Sequence, residues 1–202
     1  MKLITISREY GSGGGVIGRE LAETLGFAYY DKEIIHTIAK DLNLSEKEVF
    51  QLTEENKATF LQMPFENYGG IDTHSLDVLR VQRQVLRNIA EKGADCVVVG
   101  RSGDVILDDY DPLKIFVYAD SETCIANIRA TVPKYKDAPD KHIYRDMKRI
   151  NSVRASYYEL VSGEKWGRKE NYDLCINTSG KDMRTLVKPI AEYATAWFRL
   201  SE

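Results

Sequence analysis

The chain has 202 residues, 43% of them hydrophobic and 29% charged, with a formal net charge of -3; this suits a sizeable core and a single domain over residues 1–202. A surface of mixed sign excludes a general binder of nucleic-acid polymers or anionic membranes, so any anion site must be local. Cys96, Cys124 and Cys175 stand too far apart for a disulfide framework or zinc site, and with no signal-like start and no run near ~18 apolar residues the expected location is cytoplasmic.

Residues 2–6 form a short apolar run rich in β-branched residues, a strand signal. A glycine-rich turn follows, then a helix with Ile17, Leu21 and Leu25 on one face and Gly26 as its C-cap. A second strand is expected over residues 27–30. Ser45 with Glu48 has the pattern of a capping box, and residues 63–73, with Pro64, Gly69 and Gly70, read as a loop. Val78, Val81, Val85 and Ile89 mark a helix ending before Gly93, and further strands are expected at 96–99, 114–118 and 174–176. Between residues 129 and 169 eleven Lys or Arg face five Asp or Glu, in a helical stretch interrupted by Pro133 and Pro139 and closed by Gly163 and Gly167, which makes a candidate basic lid. The last helix, about 182–200, contains Pro189, which should kink or split it. Strands alternating with helices predict an α/β fold, with a parallel sheet of about five strands between two helical layers.

The turn Arg8-Glu9-Tyr10-Gly11-Ser12-Gly13-Gly14-Gly15 lies between a strand and an amphipathic helix, the context a phosphate cradle needs. Glycines allow positive φ and close approach of the main chain, so successive N–H groups can face phosphate oxygens near the positive end of a helix. A plain turn does not need so many glycines. A dinucleotide site is the weaker alternative: Gly11, Gly13 and Gly18 only roughly imitate its spacing, and Asp31 comes early for its acidic residue.

Four landmarks carry a family resemblance: Ile6-Ser7-Arg8-Glu9-Tyr10-Gly11-Ser12-Gly13-Gly14; Val99-Gly100-Arg101; Arg149-Ile150-Asn151-Ser152-Val153-Arg154-Ala155-Ser156-Tyr157-Tyr158; and Trp166-Gly167 leading to Tyr172-Asp173-Leu174-Cys175-Ile176-Asn177-Thr178. Together they resemble the cytidylate kinase-like family, a branch of the P-loop nucleoside monophosphate kinases, over most of the chain. The resemblance implies ATP as donor, Mg2+ bridging its phosphates, a small acceptor of cytidylate type, an acceptor-side helical region over about 32–92 and a lid over about 129–169. The phosphate-loop lysine of better-known kinases is missing. Registering on the helix end and Asp31 puts Gly14 in its place, and the alternative register through Gly13 and Gly18 gives Arg19 and Glu20, with neither lysine nor magnesium-binding hydroxyl.

Another cation must then neutralise the transferred phosphoryl group. Arg8 is a candidate beside Gly11, Ser12, Gly13, Gly14 and Gly15 on the donor side, with a solvated strand-end charge as its plainer role. Arg101 should emerge at the carboxyl edge of a strand, where open α/β sheets hold ligands; the resemblance makes it an acceptor-phosphate ligand, against simple pairing with Asp104 or Asp95. Asp31 either orients the acceptor or caps the next helix. Arg145 and Arg149 share a helix face that Arg154 leaves by about 140°, and lids of this type clamp phosphate with arginines from both sides; Arg129, Arg149 and Arg154 are the favoured catalytic set. Asn151 stands where the resembling lid usually has aspartate. Tyr157, Tyr158 and Trp166 read as packing under the lid, and His36, His74 and His142 match no metal-ligand spacing. The alternative to a kinase is a nucleotide- or phosphate-binding regulatory module without turnover, motivated by the missing lysine and hydroxyl.

Overall fold

The computed structural model describes residues 1–43, 45–47 and 73–200. Glu48, the expected capping partner of Ser45, and residues 63–72 of the expected loop lie outside them. Five strands, β1 (Leu3–Arg8), β2 (Ala28–Tyr30), β3 (Cys96–Val99), β4 (Leu113–Tyr118) and β5 (Leu174–Asn177), form one parallel sheet in the order β2-β3-β1-β4-β5. All five expected strands are present. The inner strands β3, β1 and β4 are apolar because a parallel sheet covered by helices is buried on both faces, while the edge strands β2 and β5 are only partly buried.

On one face Ile4, Ile6, Val97, Val99, Ile115 and Val117 pack against α1 (Gly14–Leu25) and α7 (Met183–Leu200). Each fully buried aliphatic side chain there contributes roughly 2 kcal/mol. Gly18 lets α1 approach so closely: a Cβ on it would lie 2.6 Å from Val99 Cγ2. Gly26 caps α1 in the left-handed conformation, its N–H reaching Ala22 O and Glu23 O. Pro189 does not split α7, which runs unbroken from Met183 to Leu200. Burial of Val187, Ile190, Ala194 and Phe198 along one face outweighs the roughly 3 kcal/mol an internal proline costs.

The other face packs Leu3, Cys96 and Val98 against α2 (Lys32–Leu42) and α3 (Thr73–Glu91). A one-turn helix, α4 (Gly103–Ile106), follows β3, and the basic segment folds as α5 (Ser121–Thr131) and a long α6 (Asp140–Ser162). The breaks fall where the prolines and Gly163 demand them: α5 stops before Pro133, Pro139 is the N-cap of α6, and Gly163 closes it with φ 73°. Because all strands run the same way, the turn after β1, Asp31 after β2 and Gly100 after β3 meet at one edge of the sheet. No helix among the described residues is long and apolar enough to cross a membrane.

Candidate phosphate-binding site

β1 is the central strand, and the chain leaves it through Glu9, whose N–H donates to Val117 O at 3.0 Å. Gly11 and Gly13 then take φ of 86° and 83°. Both also lie in close contact: a Cβ would sit 2.7 Å from Cys124 O at Gly11 and 1.6 Å from Met183 Sδ at Gly13. The loop's carbonyls are tied down from distant parts of the chain. Asn127 Nδ2 donates to Gly11 O and Thr178 Oγ1 to Ser12 O, each at 2.8 Å. Ser12 is fully buried with its hydroxyl turned inward onto Glu9 O at 2.8 Å.

Of the loop's donors, Tyr10 N–H is taken by Asn151 Oδ1 at 2.8 Å. The amides of Gly11, Gly13, Gly14 and Gly15 meet no acceptor among the described residues. Gly14 and Gly15 open α1, so their N–H groups are the unsatisfied donors of a helix N-terminus. Nothing lies within 4 Å of a Cβ built on Gly15. Bare amides around an open space at a helix N-terminus are the arrangement that an anion cradle requires.

Beside the cradle is a cleft lined by Ser7, Arg8, Arg101, Ser102, Arg154 and Trp166. Gly100, Arg101 and Ser102 have φ of 77°, 63° and 49°. Two consecutive non-glycine residues in the left-handed region cost energy that their surroundings must repay, and such strain concentrates at functional sites. Gln82, itself fully buried, holds this turn by donating to Arg101 O at 2.9 Å. The Arg8 guanidinium lies over Gly100 so closely that a Cβ there would sit 1.7 Å from its Nη1. Asp31 pairs with Arg8 at 3.4 Å and accepts from Tyr29 Oη at 3.3 Å. It holds the N-cap position of α2 but makes no capping hydrogen bond.

Arg154 reaches down from α6, donating to Arg8 O at 3.0 Å with its guanidinium carbon 5.8 Å from the Tyr10 ring centroid. Three guanidinium groups line one cleft, where mutual repulsion in poorly hydrated surroundings favours an anion between them. Its free space is about 30 Å³, so anything much larger than water enters by displacing the arginine tips.

The remaining lid arginines lie elsewhere. Arg129 donates to Ala138 O at 3.1 Å and pairs with Asp140, joining the end of α5 to the start of α6. Arg149 is half-buried on α6 and does not line the cleft. Arg145 is exposed beside Asp146, and Arg19 is exposed over the Tyr29 ring. Asn151, a position flagged only for its departure from the family pattern, is a working contact; its spacing of three from Arg154 puts both on the face that meets the loop. Of the carboxylates expected to pair with Arg101, Asp104 accepts from Ser7 Oγ at 3.2 Å and Asp95 from Lys2 N at 2.6 Å.

No group of three His, Cys, Asp or Glu side chains among the described residues is placed to hold a metal. In the register that puts Gly14 at the lysine, Gly15 stands at the magnesium-binding hydroxyl, so these side chains do not fit a protein-held Mg2+. His36 pairs with Glu46 and His142 with Asp146, both at the surface.

No curated protein matches the chain. An uncharacterized protein from Eubacterium ventriosum has a similar structure, with a TM-score of 0.71 and 24% identity, covering 96% of this chain and 99% of its own. Shikimate kinase from Bacteroides thetaiotaomicron gives a TM-score of 0.59 at 13% identity, covering 95% of this chain and 97% of that one. Shikimate kinase from Acinetobacter baumannii, solved with shikimate, gives 0.59 at 14%, covering 97% and 94%. These likenesses show a P-loop kinase fold. Residues 3–180 match the model of the cytidylate kinase-like family, and the chain belongs to that family.

Proposed function

We propose that the protein is a phosphotransferase that moves the terminal phosphoryl group of ATP to a nucleoside monophosphate of cytidylate type or a similar small acceptor. The observation that carries this reading is the convergence of Arg8, Arg101 and Arg154 on a cleft next to four bare loop amides. The amides of Gly11, Gly13, Gly14 and Gly15 hold the donor phosphates, and Arg101, with Asp31 steadying Arg8, faces the acceptor side. An acceptor phosphate oxygen, already anionic, attacks the terminal phosphorus while its bond to the ADP oxygen breaks; no hydroxyl-activating base is needed. The work is positioning and charge stabilisation.

Arg8 is the residue we assign in place of the missing lysine. Its stem runs beside Gly14, where a Cβ would lie 2.6 Å from Arg8 Cβ, so the cation reaches the phosphates from the end of β1 instead of from α1. Arg154 completes the clamp when the lid is down, while Arg129 and Arg149 act on the lid's placement or on its closed form. ATP brings its Mg2+ with it, and we assign the metal no protein ligand.

The non-catalytic module is the second reading, favoured by glycines at both the lysine and the hydroxyl positions. Incubation with ATP, Mg2+ and a panel of nucleoside monophosphates and small hydroxyl metabolites separates the two. ADP and a phosphorylated acceptor are expected, with loss of transfer in Arg8→Met and Arg101→Ala at unchanged fold. ATP binding with no product from any acceptor would leave the module.

A further inference from the structure

Helix α3 buries Val78, Val85, Leu86 and Ile89 against the sheet, and Gln82 stands on the same apolar face, fully buried. A position three or four residues from Val78, Val85 and Leu86 calls for an apolar side chain. The amide found there serves two partners distant in sequence: Nε2 donates to Arg101 O at 2.9 Å and to the hydroxyl of Tyr157 on α6. Gln82 Oε1 is buried with no hydrogen-bond partner among the described residues. The orientation is forced, since turning the amide over would set Oε1 against the Arg101 carbonyl, acceptor against acceptor.

What this amide touches is the strained turn after β3. Gly100 O accepts from Gly103 N–H at 3.2 Å, and Ser102 O from the N–H groups of Val105 and Ile106 at 3.0 and 2.9 Å, so main chain holds both. Arg101 O is held by Gln82, from 19 positions away. Arg101 and Ser102 both have positive φ, and rotation of the peptide between them would release Ser102 from the left-handed region. The hydrogen bond to Arg101 O opposes that rotation. Both residues flanking the peptide line the cleft, as does Tyr157, which ties the same amide to the helix that carries Arg154. A methionine would fill the space and orphan no acceptor, and an orphaned buried acceptor costs about as much as one or two hydrogen bonds return. The amide therefore adds little to the net stability of the fold; what it adds is direction.

We propose that Gln82 is the positioning residue of the arginine cleft. Its amide locks the Arg101–Ser102 peptide and joins it to Tyr157, so Arg101 and Arg154 meet an anion as a pair whose spacing is set before the anion arrives. This role rests on the proposed seating of the acceptor phosphate in the cleft. Donors set in advance lose less freedom on binding. Loss of the amide therefore falls on anion affinity in the cleft, while the glycine loop keeps its hold on ATP.

The test is titration of the full chain with sodium sulfate, a dianion of the size of a phosphate group, followed by the NMR shifts of the Arg101 and Ser102 amides, with ATP titrated separately. Saturable sulfate binding is expected in the wild type, weakened at least roughly tenfold in Arg101→Ala. Gln82→Met should bind sulfate about tenfold more weakly at an unchanged thermal midpoint, with ATP affinity within about twofold of the wild type. Amide relaxation should show new motion at Arg101 and Ser102. Tyr157→Phe, which cuts only the tie to α6, should lose severalfold, and it keeps the test open should Gln82→Met unfold. Full sulfate affinity in whichever of these two variants folds, where Arg101→Ala loses it, overturns the positioning role and leaves the proposed function standing. Equal loss toward sulfate and ATP in Gln82→Met, with a lowered midpoint and no new motion at the turn, is a loss of fold and also overturns the role. No sulfate binding, or binding that Arg101→Ala leaves intact, overturns both the role and the anion seat it serves.

Discussion

Tyr157 and Tyr158 are neighbours on α6, yet they line cavities of opposite sign. Tyr157 borders the cleft with Arg8, Arg101 and Arg154, and Tyr158 the pocket with Asp104. Successive helical residues point about 100° apart, enough to divide the sheet face under α6 between the two. In the cleft the chain holds its charges by their stems and partners: Asp31 on Arg8, and the Arg8 carbonyl on Arg154. In the pocket the Asp104 carboxylate is buried, accepts from Ser7 and feels the charge of Lys114. Positive charge gathers at the first site and negative charge at the second.

The largest expected effect breaks the cleft without touching an arginine. Gly100→Ala places a methyl where the Arg8 guanidinium lies, and kcat/KM for phosphoryl transfer should fall about 10²- to 10³-fold, the usual cost of losing one donor aimed at a developing charge. An unchanged rate would show that Arg8 does not need its seat over Gly100.

On the pocket side the sign is opposite, because removing the charge should help the fold. Asp104 rises from 3.8 to about 6 on folding, so its contribution to stability is fully present below about pH 3.8 and is lost as pH rises through 6. Asp104→Asn should therefore gain about 3 kcal/mol over the wild type at pH 8 and flatten stability between pH 4 and 7. Denaturant unfolding across that range measures it, and parallel curves would mean that Asp104 is not desolvated.

Two glycines in the cradle sharpen the contrast between strain and binding. Gly13→Ala meets both a left-handed φ and Met183 Sδ, and should cost about 2 kcal/mol of stability. Adding Met183→Ala should restore the steric part only, a difference that a double-mutant cycle resolves. Gly15→Ala has open space and a helical position, so stability should rise by about 0.5–1 kcal/mol while ATP affinity falls severalfold. A variant that gains stability without losing affinity would move the phosphates away from Gly15.

The sheet was readable because its strands are short runs rich in β-branched and aromatic residues, and the caps at Gly26 and Gly163 because a left-handed helix end favours glycine. The glycine turn was legible as a strand-to-helix connection for the same local reason, with positive φ at Gly11 and Gly13. The arginines were not, since which of them meet depends on helix rotation and on contacts between distant residues. Asn151 reaches Tyr10 across 141 positions and Ser7 reaches Asp104 across 97. Thr5 and Ser7, the polar residues of β1 buried at 1% and 4%, were the available hint that the face under α6 holds more than packing. Of the two expected effects of Pro189, the split is absent because a local rule takes no account of the apolar face that holds α7 in place.

The closeness of Gly14 to the Arg8 stem reaches beyond this one chain. A Cβ at position 14 would meet the Cβ of residue 8 at 2.6 Å, an atom that every residue but glycine carries, so the packing of the strand end against the helix start keeps a lysine out of position 14. A chain that regained a side chain there would need glycine at position 8 or a loop moved away from β1.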